Sequence, residues 1–417
     1  MANSHEIVLI HVGAGKHSIK NSKSFKKLLK KACTKGILAL NDENLSNTTI
    51  YESSGKFEIP TGSMKALSDV SKLIEGSLLT NASIGSSLAS DGQVYNDAQI
   101  LLKVGTSQNC YFGMTGIKNY KFPISRCLNF SRMAEITFGD KELGVTKPCF
   151  IVDGGVDYHS QSPLEFFEEG KCDNDTLITN GAERSYHYWD EMRREQSESF
   201  EENYQKMNHN IEYITDTIGV SIVDKKGNIL NGTSSGGNML KNPGRIGCAS
   251  VLGAGTFIMS SRDLPFYKNV IEPKLNSRKR KADEDLDDNG VIYEISLLAT
   301  GNGEQIISSD ISRYCCNYIL SALHLEDSKN IYDSAELLSS SITELSTNRL
   351  YVGVTGLIRS FVDSQKTTPH QTHLLYAHTT ENFTIAFKSS MESSFEYIFS
   401  ENPNQDIPLR GQIVCVS

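Results

Sequence analysis

Hydrophobic residues along the first quarter of the chain follow two spacings, one typical of strands and one typical of helices. The aliphatic run 7–12 ends at a glycine-rich turn, which predicts a buried strand. After it, apolar residues recur every three or four positions with lysines on the opposite face, which predicts a helix through Phe25, Leu28, Leu29, Ala32 and Cys33. The polar residues 41–63 predict a loop, 64–79 have helical spacing, and 94–102 predict a strand.

Strand-like spacing returns in the second half of the chain. Residues 217–223 and 229–233 flank a short polar segment that contains glycine, so they predict a hairpin. Further strands are predicted at 351–358 and 372–378, and we expect the second of these to pair with 383–388.

Two polar regions interrupt these patterns. Residues 157–215 are rich in Glu, Ser, Asn and Tyr, which predicts a flexible or functional segment whose portion 189–210 is either helical or disordered. An insertion at 265–290 carries the basic tetrapeptide 278–281 followed at once by acidic residues, and these charges predict an exposed, mobile loop. The tetrapeptide is either a nuclear-import signal or part of a merely soluble loop, and both interpretations stay open.

Composition adds several exclusions to this picture. Of 417 residues, 38% are hydrophobic and 22% charged, which is typical of a soluble globular protein with a large core. The net charge of −9 argues against nucleic acid as the main partner. Nine cysteines without a CxxC pair predict reduced thiols rather than a disulfide framework, and we expect neither a metal nor a cofactor. Without a secretory signal or an apolar stretch of about 18 residues, we expect a nuclear or cytoplasmic protein that does not contact membranes.

Glycine-rich turns follow several of the predicted strands. They are Ser-Ser-Gly-Gly at 234–237, Lys-Asn-Pro-Gly-Arg-Ile-Gly at 241–247 and Thr-Gly-Asn-Gly-Glu at 300–304. Glycine lets the backbone approach a ligand closely, so these turns are candidates for one substrate site.

With these turns in order after Asp216-Thr217, the chain resembles the type 2 asparaginase and glycosylasparaginase family of N-terminal-nucleophile hydrolases. Within that family it is most similar to the threonine aspartase (taspase) branch. The motifs that carry the resemblance lie at 11–18, 80–86, 96–98, 216–255 and 377–381. The resemblance implies an α/β chain folded as a four-layer αββα sandwich, one spatial domain made of the fragments 1–216 and 217–417. In the family such αβ units are commonly paired as (αβ)2.

Self-cleavage between Asp216 and Thr217 would create the nucleophile. A threonine hydroxyl is a weak nucleophile at neutral pH and needs a base within hydrogen-bond reach. The new α-amine of Thr217 would supply that base, with a pKa near roughly 8. Before the cut the same nitrogen is an amide, so we expect the precursor to be inactive toward other molecules.

The resemblance also implies roles for other residues. Ser235 would hydrogen-bond the Thr217 amine and hydroxyl, and Thr300 with the Gly301 N–H would form the oxyanion hole. Gly13, Asn81 and Gly236 lie in motifs that line the site in the family. For Gly13 and Asn81 the alternative, a turn residue without a role in catalysis, stays open.

Arg245 and Cys248 bear on the substrate class. A guanidinium in a glycine-flanked turn suits bidentate binding of a carboxylate, although a surface ion pair remains an alternative. In the family, asparaginases carry an Asp three residues after this Arg to bind the substrate α-ammonium, and here that residue is Cys248. Because a neutral thiol cannot pair with an ammonium, the sequence favours an endopeptidase that cleaves polypeptides after aspartate.

Two alternatives to this endopeptidase stay open. The first is an L-asparaginase or β-aspartyl peptidase, which another acid near Arg245 would favour. The second is an uncleaved, non-catalytic binding scaffold.

Overall fold

The computed structural model describes most of the chain, and its described residues fall into fourteen main ranges. These are 5–17, 19–42, 48–52, 55–59, 61–105, 110–137, 148–153, 169–195, 217–266, 291–326, 328–345, 350–361, 369–391 and 395–416. Their helices are α1 (Ser22–Leu40), α2 (Thr61–Glu75), α3 (Pro123–Thr137), α4 (Asn180–Glu195), α5 (Gly303–Ser309), α6 (Ile311–Leu325) and α7 (Ser334–Glu344).

The strands belong to two large sheets and one small hairpin. In chain order they are β1 (Ile7–Gly15), β2 (Thr48–Glu52), β3 (Gly55–Ile59), β4 (Asn96–Lys103), β5 (Cys110–Ile117), β6 (Phe150–Val152), β7 (Ile218–Val223), β8 (Ile229–Ser235), β9 (Thr256–Ser260), β10 (Ile292–Gly301), β11 (Val352–Phe361), β12 (Gln371–His378), β13 (Asn382–Ser389), β14 (Phe395–Glu401) and β15 (Leu409–Val416). The first sheet has the order β14-β13-β1-β7-β8-β4-β5-β6, and the second has the order β15-β12-β11-β10-β9.

Hydrophobic side chains form a separate core on each face of these sheets. In β1, Val8 and Ile10 pack toward α1 and α2, whereas Ile7 and Leu9 point into the layer between the sheets. This alternation follows from the period of two in a strand, and it explains why β1 is apolar at almost every position. A third core lies between the second sheet and α6 and α7, where Ile319 and Leu338 are buried. The chain is therefore a four-layer αββα sandwich, as predicted.

The two halves of the chain share the first sheet. β7, which begins directly after Thr217, pairs antiparallel with β1 on one side and with β8 on the other. β8 in turn pairs with β4, so the β7–β8 hairpin lies between strands of the first half. The hairpin predicted around residues 224–228 is confirmed, and so are the predicted strand at 7–12 and the predicted helix through Phe25.

The predicted pairing of 372–378 with 383–388 is wrong. β12 pairs with β11 and β15 in the second sheet, whereas β13 pairs with β1 and β14 in the first. The four-residue step from His378 to Asn382 therefore carries the chain from one sheet to the other. His378 is fully buried at this step, and its ring contacts Thr380 and Ser400.

Two other expectations need correction. The loop predicted for 41–63 holds the β2–β3 hairpin and the start of α2, because its Thr, Ile, Tyr and Phe residues favour strands. Within 157–215, which was predicted to be flexible or functional, residues 169–195 are folded. Their helix α4 includes 189–195, which confirms the helical alternative for that part of 189–210. The Asn174 side chain donates to the Val94 backbone and also accepts from it, which fixes this stretch against the main body.

The charged insertion lies largely outside the described residues. Pro265 and Phe266 are described, and Phe266 packs against the core of the second sheet. The basic tetrapeptide 278–281 falls in the part that the structure does not describe. Among the helices that are described, none combines the length and apolar character needed to cross a membrane.

Candidate active site

Thr217 lies at the start of β7, where the first sheet faces the end of β10 in the second sheet. Its side chain is buried with 2% exposure. The Thr217 N–H donates to Thr300 Oγ1 at 3.2 Å, and its hydroxyl oxygen lies 3.8 Å from the sulfur of Cys248. Asp216, the other side of the predicted cleavage point, lies outside the described residues. The structure thus brings together Thr217 and Thr300, two of the residues assigned to catalysis.

Gly301 ends β10 in a conformation that favours glycine. Its φ is +131°, and a Cβ there would clash with the carbonyl oxygen of Tyr351 on the neighbouring strand end. The same carbonyl accepts from Asn302 N–H at 2.8 Å, while Tyr351 N–H donates to Gln305 at 2.8 Å. These contacts hold the backbone beside Thr300 in one fixed arrangement.

The motif at 377–381 supports this backbone from the other side. Thr379 Oγ1 accepts from Val352 N–H at 3.0 Å, and the Tyr351 hydroxyl donates to Glu381. The motif therefore positions residues 351–352, which pair with the end of β10. It also contains the connection between the two sheets.

Ser235, Asn81 and Gly236 form a second group. Asn81 Nδ2 donates to the Gly237 carbonyl at 2.8 Å, and the Asn81 carbonyl accepts from Gly236 N–H at 2.7 Å. Ser235 Oγ accepts from Gly237 N–H at 3.0 Å, so in this structure it shapes the turn rather than contacting Thr217. The sequence assigned Ser235 to the Thr217 amine and hydroxyl, and that role stays a prediction.

Arg245 lies in a slot between two glycines. A Cβ on Gly237 would lie 2.8 Å from Nη1, and a Cβ on Gly303 would lie 2.8 Å from Nη2. Glu304 closes one edge of the guanidinium, since its Oε1 accepts from Nε at 2.8 Å and lies 2.7 Å from Nη2. Glu304 is thus an acid beside Arg245. The ion pair that was the alternative role for Arg245 is observed, with a partner that is 60% exposed.

The Arg245 charge controls the ionisation of Glu304. Partial burial opposes ionisation, but the hydrogen bond and the charge of Arg245 outweigh it and lower the pKa of this carboxyl. Glu304 is therefore ionised at neutral pH, and the Nε edge of Arg245 is taken.

Cys248 lies between Thr217 and Arg245. A Cβ on Gly303 would lie 3.9 Å from its sulfur and 2.8 Å from Arg245 Nη2, so the thiol and the guanidinium flank the same glycine. Burial raises the pKa of Cys248 to about 11. The thiol beside Thr217 is therefore neutral at physiological pH, as expected for an unactivated cysteine.

Gly13 lies near the end of β1, two residues after the last pair of the β1–β7 register, which joins His11 to Gly219. A bulge follows His11, and Gly13 has a φ of +113°. His11 itself is fully buried, and burial lowers its pKa to about 3, so the ring beside β7 is neutral.

Asp97 and Lys241 are buried next to this site and received no role from the sequence. Lys241 Nζ lies 3.7 Å from Asp97 Oδ2, and both side chains are almost fully buried. Asp97 belongs to the 96–98 motif that contributed to the resemblance, but the motif did not reveal what its carboxylate contacts. In the described part of the chain, no cluster of three or more His, Cys, Asp or Glu side chains is arranged to hold a metal.

Comparison with known proteins matches this region. The family model described as Asparaginase (Asparaginase_2) matches residues 160–261, which include Thr217, Ser235 and Arg245. Three curated relatives are plant-type L-asparaginases from archaea. That of Thermococcus kodakarensis is 28% identical over 207 residues, covering 48% of this chain and 59% of the relative. That of Pyrococcus furiosus is 29% identical with the same coverage, and that of Pyrobaculum calidifontis is 25% identical over 258 residues, covering 60% and 68%.

These relatives are matched over only part of their length. The chain spans about three fifths of the Thermococcus and Pyrococcus proteins. The family match contains the start of β7, the glycine-rich turns at 234–237 and 241–247, and Arg245, whereas the turn at 300–304 lies outside it. By its sandwich architecture and by these matches, the chain is similar to the asparaginase-type N-terminal-nucleophile hydrolases.

Proposed function

We propose that this chain is a self-processing amidohydrolase with Thr217 as its N-terminal nucleophile. The observation that carries the proposal is the contact of the Thr217 nitrogen with Thr300 Oγ1 at 3.2 Å. The Thr300 hydroxyl thus lies beside the Thr217 nitrogen, which would act as the base. Both lie at the end of β10, where the proposed oxyanion would form. The family match over 160–261 supports the same chemistry.

Self-processing would start with the Thr217 hydroxyl. Its oxygen attacks the carbonyl carbon of residue 216, the amide C–N bond breaks, and the hydroxyl proton ends on the released nitrogen. Water then hydrolyses the ester, which leaves a carboxylate on residue 216 and a free amine on Thr217. The nitrogen lone pair, which the amide delocalises into its carbonyl, is localised in the amine, so a base for the mature enzyme arises from the cut.

In the mature enzyme, the Thr217 amine would accept the proton of the Thr217 hydroxyl as this oxygen attacks a substrate amide. The leaving amine would take that proton, and water would hydrolyse the resulting ester. Thr300 Oγ–H and the Gly301 N–H are the proposed donors to the oxyanion. The Tyr351 contacts hold the backbone that carries these donors in place before the substrate binds. Hydrogen-bond donors that are already in position stabilise the charge of a transition state.

Arg245 is the proposed receptor for a substrate carboxylate. Glu304 occupies the Nε edge of the guanidinium, which leaves Nη1 to a ligand entering beside Gly237. The substrate class is thus an asparaginyl or aspartyl unit, whose carboxylate binds Arg245 while its amide carbonyl reaches Thr217.

The first candidate substrate is free L-asparagine or a β-aspartyl peptide. Glu304 favours it, because an ionised acid beside Arg245 can accept the α-ammonium that such substrates carry. The curated relatives named above are L-asparaginases, and they support this candidate further.

The second candidate is an endopeptidase that cleaves polypeptides after aspartate, as in the taspase branch. Cys248 favours it, because a neutral thiol lies 3.8 Å from the nucleophile at the position where asparaginases of the family have an acid. Leaving a buried ammonium without its partner costs about 3–5 kcal/mol, whereas an aspartate inside a polypeptide has no α-ammonium.

Intact mass spectrometry of the purified protein beside a Thr217→Ala variant tests the nucleophile. Two fragments, 1–216 and 217–417, that are absent from the variant would support the proposal. A full-length chain that stays intact for days and hydrolyses nothing would leave a binding scaffold as the remaining interpretation.

The processed protein would then be offered three substrates: L-asparagine, a β-aspartyl dipeptide and a blocked peptide with an internal aspartate. Release of ammonia or of the free β-linked amino acid supports the first candidate. Cleavage of the blocked peptide after its aspartate supports the second. Equal turnover of a blocked peptide with alanine in place of aspartate would contradict the second candidate, because the side-chain carboxylate would then not be recognised.

A further inference from the structure

We propose that Asp97 is a positioning residue that holds Arg245 where it can bind the substrate. This inference rests on the proposed role of Arg245 as the carboxylate receptor. Residues 241–247, which carry Arg245, are called the arginine turn below.

One buried carboxylate oxygen fastens both ends of the arginine turn. Asp97 Oδ2 accepts from Gly247 N–H at 3.1 Å and lies 3.7 Å from Lys241 Nζ. Asp97 is fully buried, so water does not compete for these contacts. Charge-assisted hydrogen bonds in such a site are stronger than those between neutral groups.

The other oxygen fixes the carboxylate itself. Asp97 Oδ1 accepts from Gly116 N–H at 3.3 Å and from the Thr115 hydroxyl, both on β5. Asp97 also lies opposite Ser235 in the β4–β8 register, directly before the Gly236–Gly237 turn. The carboxylate therefore joins β4, which carries it, and β5 to the arginine turn.

Charge balance gives Asp97 a second effect on Arg245. A Cβ on Gly237 would lie 2.8 Å from Arg245 Nη1 and 3.2 Å from Lys241 Nζ, so two cations flank one glycine. Lys241 is buried, and besides Asp97 it donates to the Tyr95 carbonyl at 2.7 Å. Asp97 neutralises Lys241, which reduces repulsion between the two cations and leaves the Arg245 charge for the substrate.

The contacts separate binding from chemistry. Asp97 contacts the arginine turn and β5, whereas Thr217 contacts Thr300 and Cys248. Loss of Asp97 should therefore weaken the binding of a substrate carboxylate more than it slows the chemical step or self-cleavage.

The test is Asp97→Asn, assayed on whichever of L-asparagine, a β-aspartyl dipeptide and a blocked aspartyl peptide the wild type turns over. We expect KM to rise about tenfold or more, with kcat within about threefold, a shift of about 1.4 kcal/mol in binding. Self-cleavage should proceed at the wild-type rate. Asp175→Asn, an exposed acid in the turn before α4, is the matched control and should leave KM unchanged.

A double variant, Asp97→Asn with Lys241→Met, protects the test against loss of folding, because it removes the unpaired buried cation as well. We expect it to fold and to retain the raised KM. An unchanged KM in either variant overturns the proposal, and so does a kcat that falls as far as KM rises. Failure of the proposed function looks different, since the wild type itself would then turn over none of the three substrates.

Discussion

The hydroxyl oxygen of Thr217 lies 3.8 Å from the sulfur of Cys248, and both side chains are buried. The thiol is kept neutral by burial, which raises its pKa to about 11. Residue 248 therefore offers no negative charge to a substrate ammonium beside the nucleophile. Negative charge beside the guanidinium comes instead from Glu304, whose side chain is 60% exposed.

Replacing Cys248 by aspartate should move the preference of the enzyme toward free amino acids. An acid at this position can pair with an α-ammonium, so we expect Cys248→Asp to raise kcat/KM for L-asparagine about tenfold or more relative to a blocked aspartyl peptide. The measurement is the ratio of the two kcat/KM values. Cys248→Asn supplies similar size without charge, and an equal change in that variant would remove charge as the cause.

Arg245→Ala should abolish turnover while sparing self-cleavage. Removal of the carboxylate receptor is expected to lower kcat/KM by about a hundredfold or more, because a charged hydrogen-bond partner is lost. Arg245→Lys keeps the charge, but a single ammonium lacks the fork that lets the guanidinium bind Glu304 and offer Nη1 to a ligand, so its activity should be intermediate. Steady-state kinetics and intact mass on the same preparations measure both effects. Normal turnover by Arg245→Ala would remove Arg245 from the substrate site.

Gly303→Ala should impair substrate binding by displacing the guanidinium. The added Cβ would lie 2.8 Å from Arg245 Nη2, closer than side chains pack, so either the arginine or the α5 backbone must move. We expect KM to rise by about tenfold. Gly62→Ala is the matched control, because it also lies in the first turn of a helix and its Cβ would have ordinary contacts at 3.6 Å. Equal KM values in both variants would contradict the slot around Arg245.

Glu75 should make stability depend on pH. Burial raises its pKa from 4.5 to about 7, although it accepts hydrogen bonds from Ser234 Oγ and Ile124 N–H. Between these values the unfolded chain has released the proton while the folded chain keeps it, so the free energy of unfolding falls as pH rises. Full ionisation would cost the folded state about 3 kcal/mol.

Glu75→Gln removes this ionisation, so its free energy of unfolding should lose less than that of the wild type as pH rises through the same window. Urea unfolding at several pH values measures the difference. Glu191→Gln, on the exposed face of α4, is the control and should follow the wild type. Parallel curves for Glu75→Gln and the wild type would show that Glu75 does not titrate in this window.

Local patterns predicted elements better than they predicted contacts. β1 and α1 were found because their apolar spacing lies within a dozen residues, and the β7–β8 hairpin because its turn is short. The β12–β13 pairing failed because a short connection was taken for a hairpin turn, whereas the buried His378 step crosses between sheets. Sequence order cannot distinguish these two outcomes.

The candidate site shows the same limit. Arg245 and Thr300 could be proposed because each lies in a glycine-rich turn, and Thr217 because the motifs after it carry the family resemblance. Glu304 and Asp97 could not be assigned partners, because their contacts with Arg245 and Lys241 join segments far apart in the chain. Only the folded sheets bring these charges together, and nothing in the local sequence specifies which pairs form.

The position of β7 in the first sheet bears on whether the proposed cleavage would precede or follow folding. β7 is hydrogen-bonded on both edges, to β1 and to β8, and it begins one residue after the proposed cut. A chain severed there before folding would have to pair its β7–β8 hairpin with β1 and β4 as a separate molecule, whereas in an intact chain the link through residue 216 keeps the hairpin attached to those strands. If the proposed cut occurs, assembly of the sheet would therefore come first and cleavage second, and folding of the uncut chain would position the nucleophile.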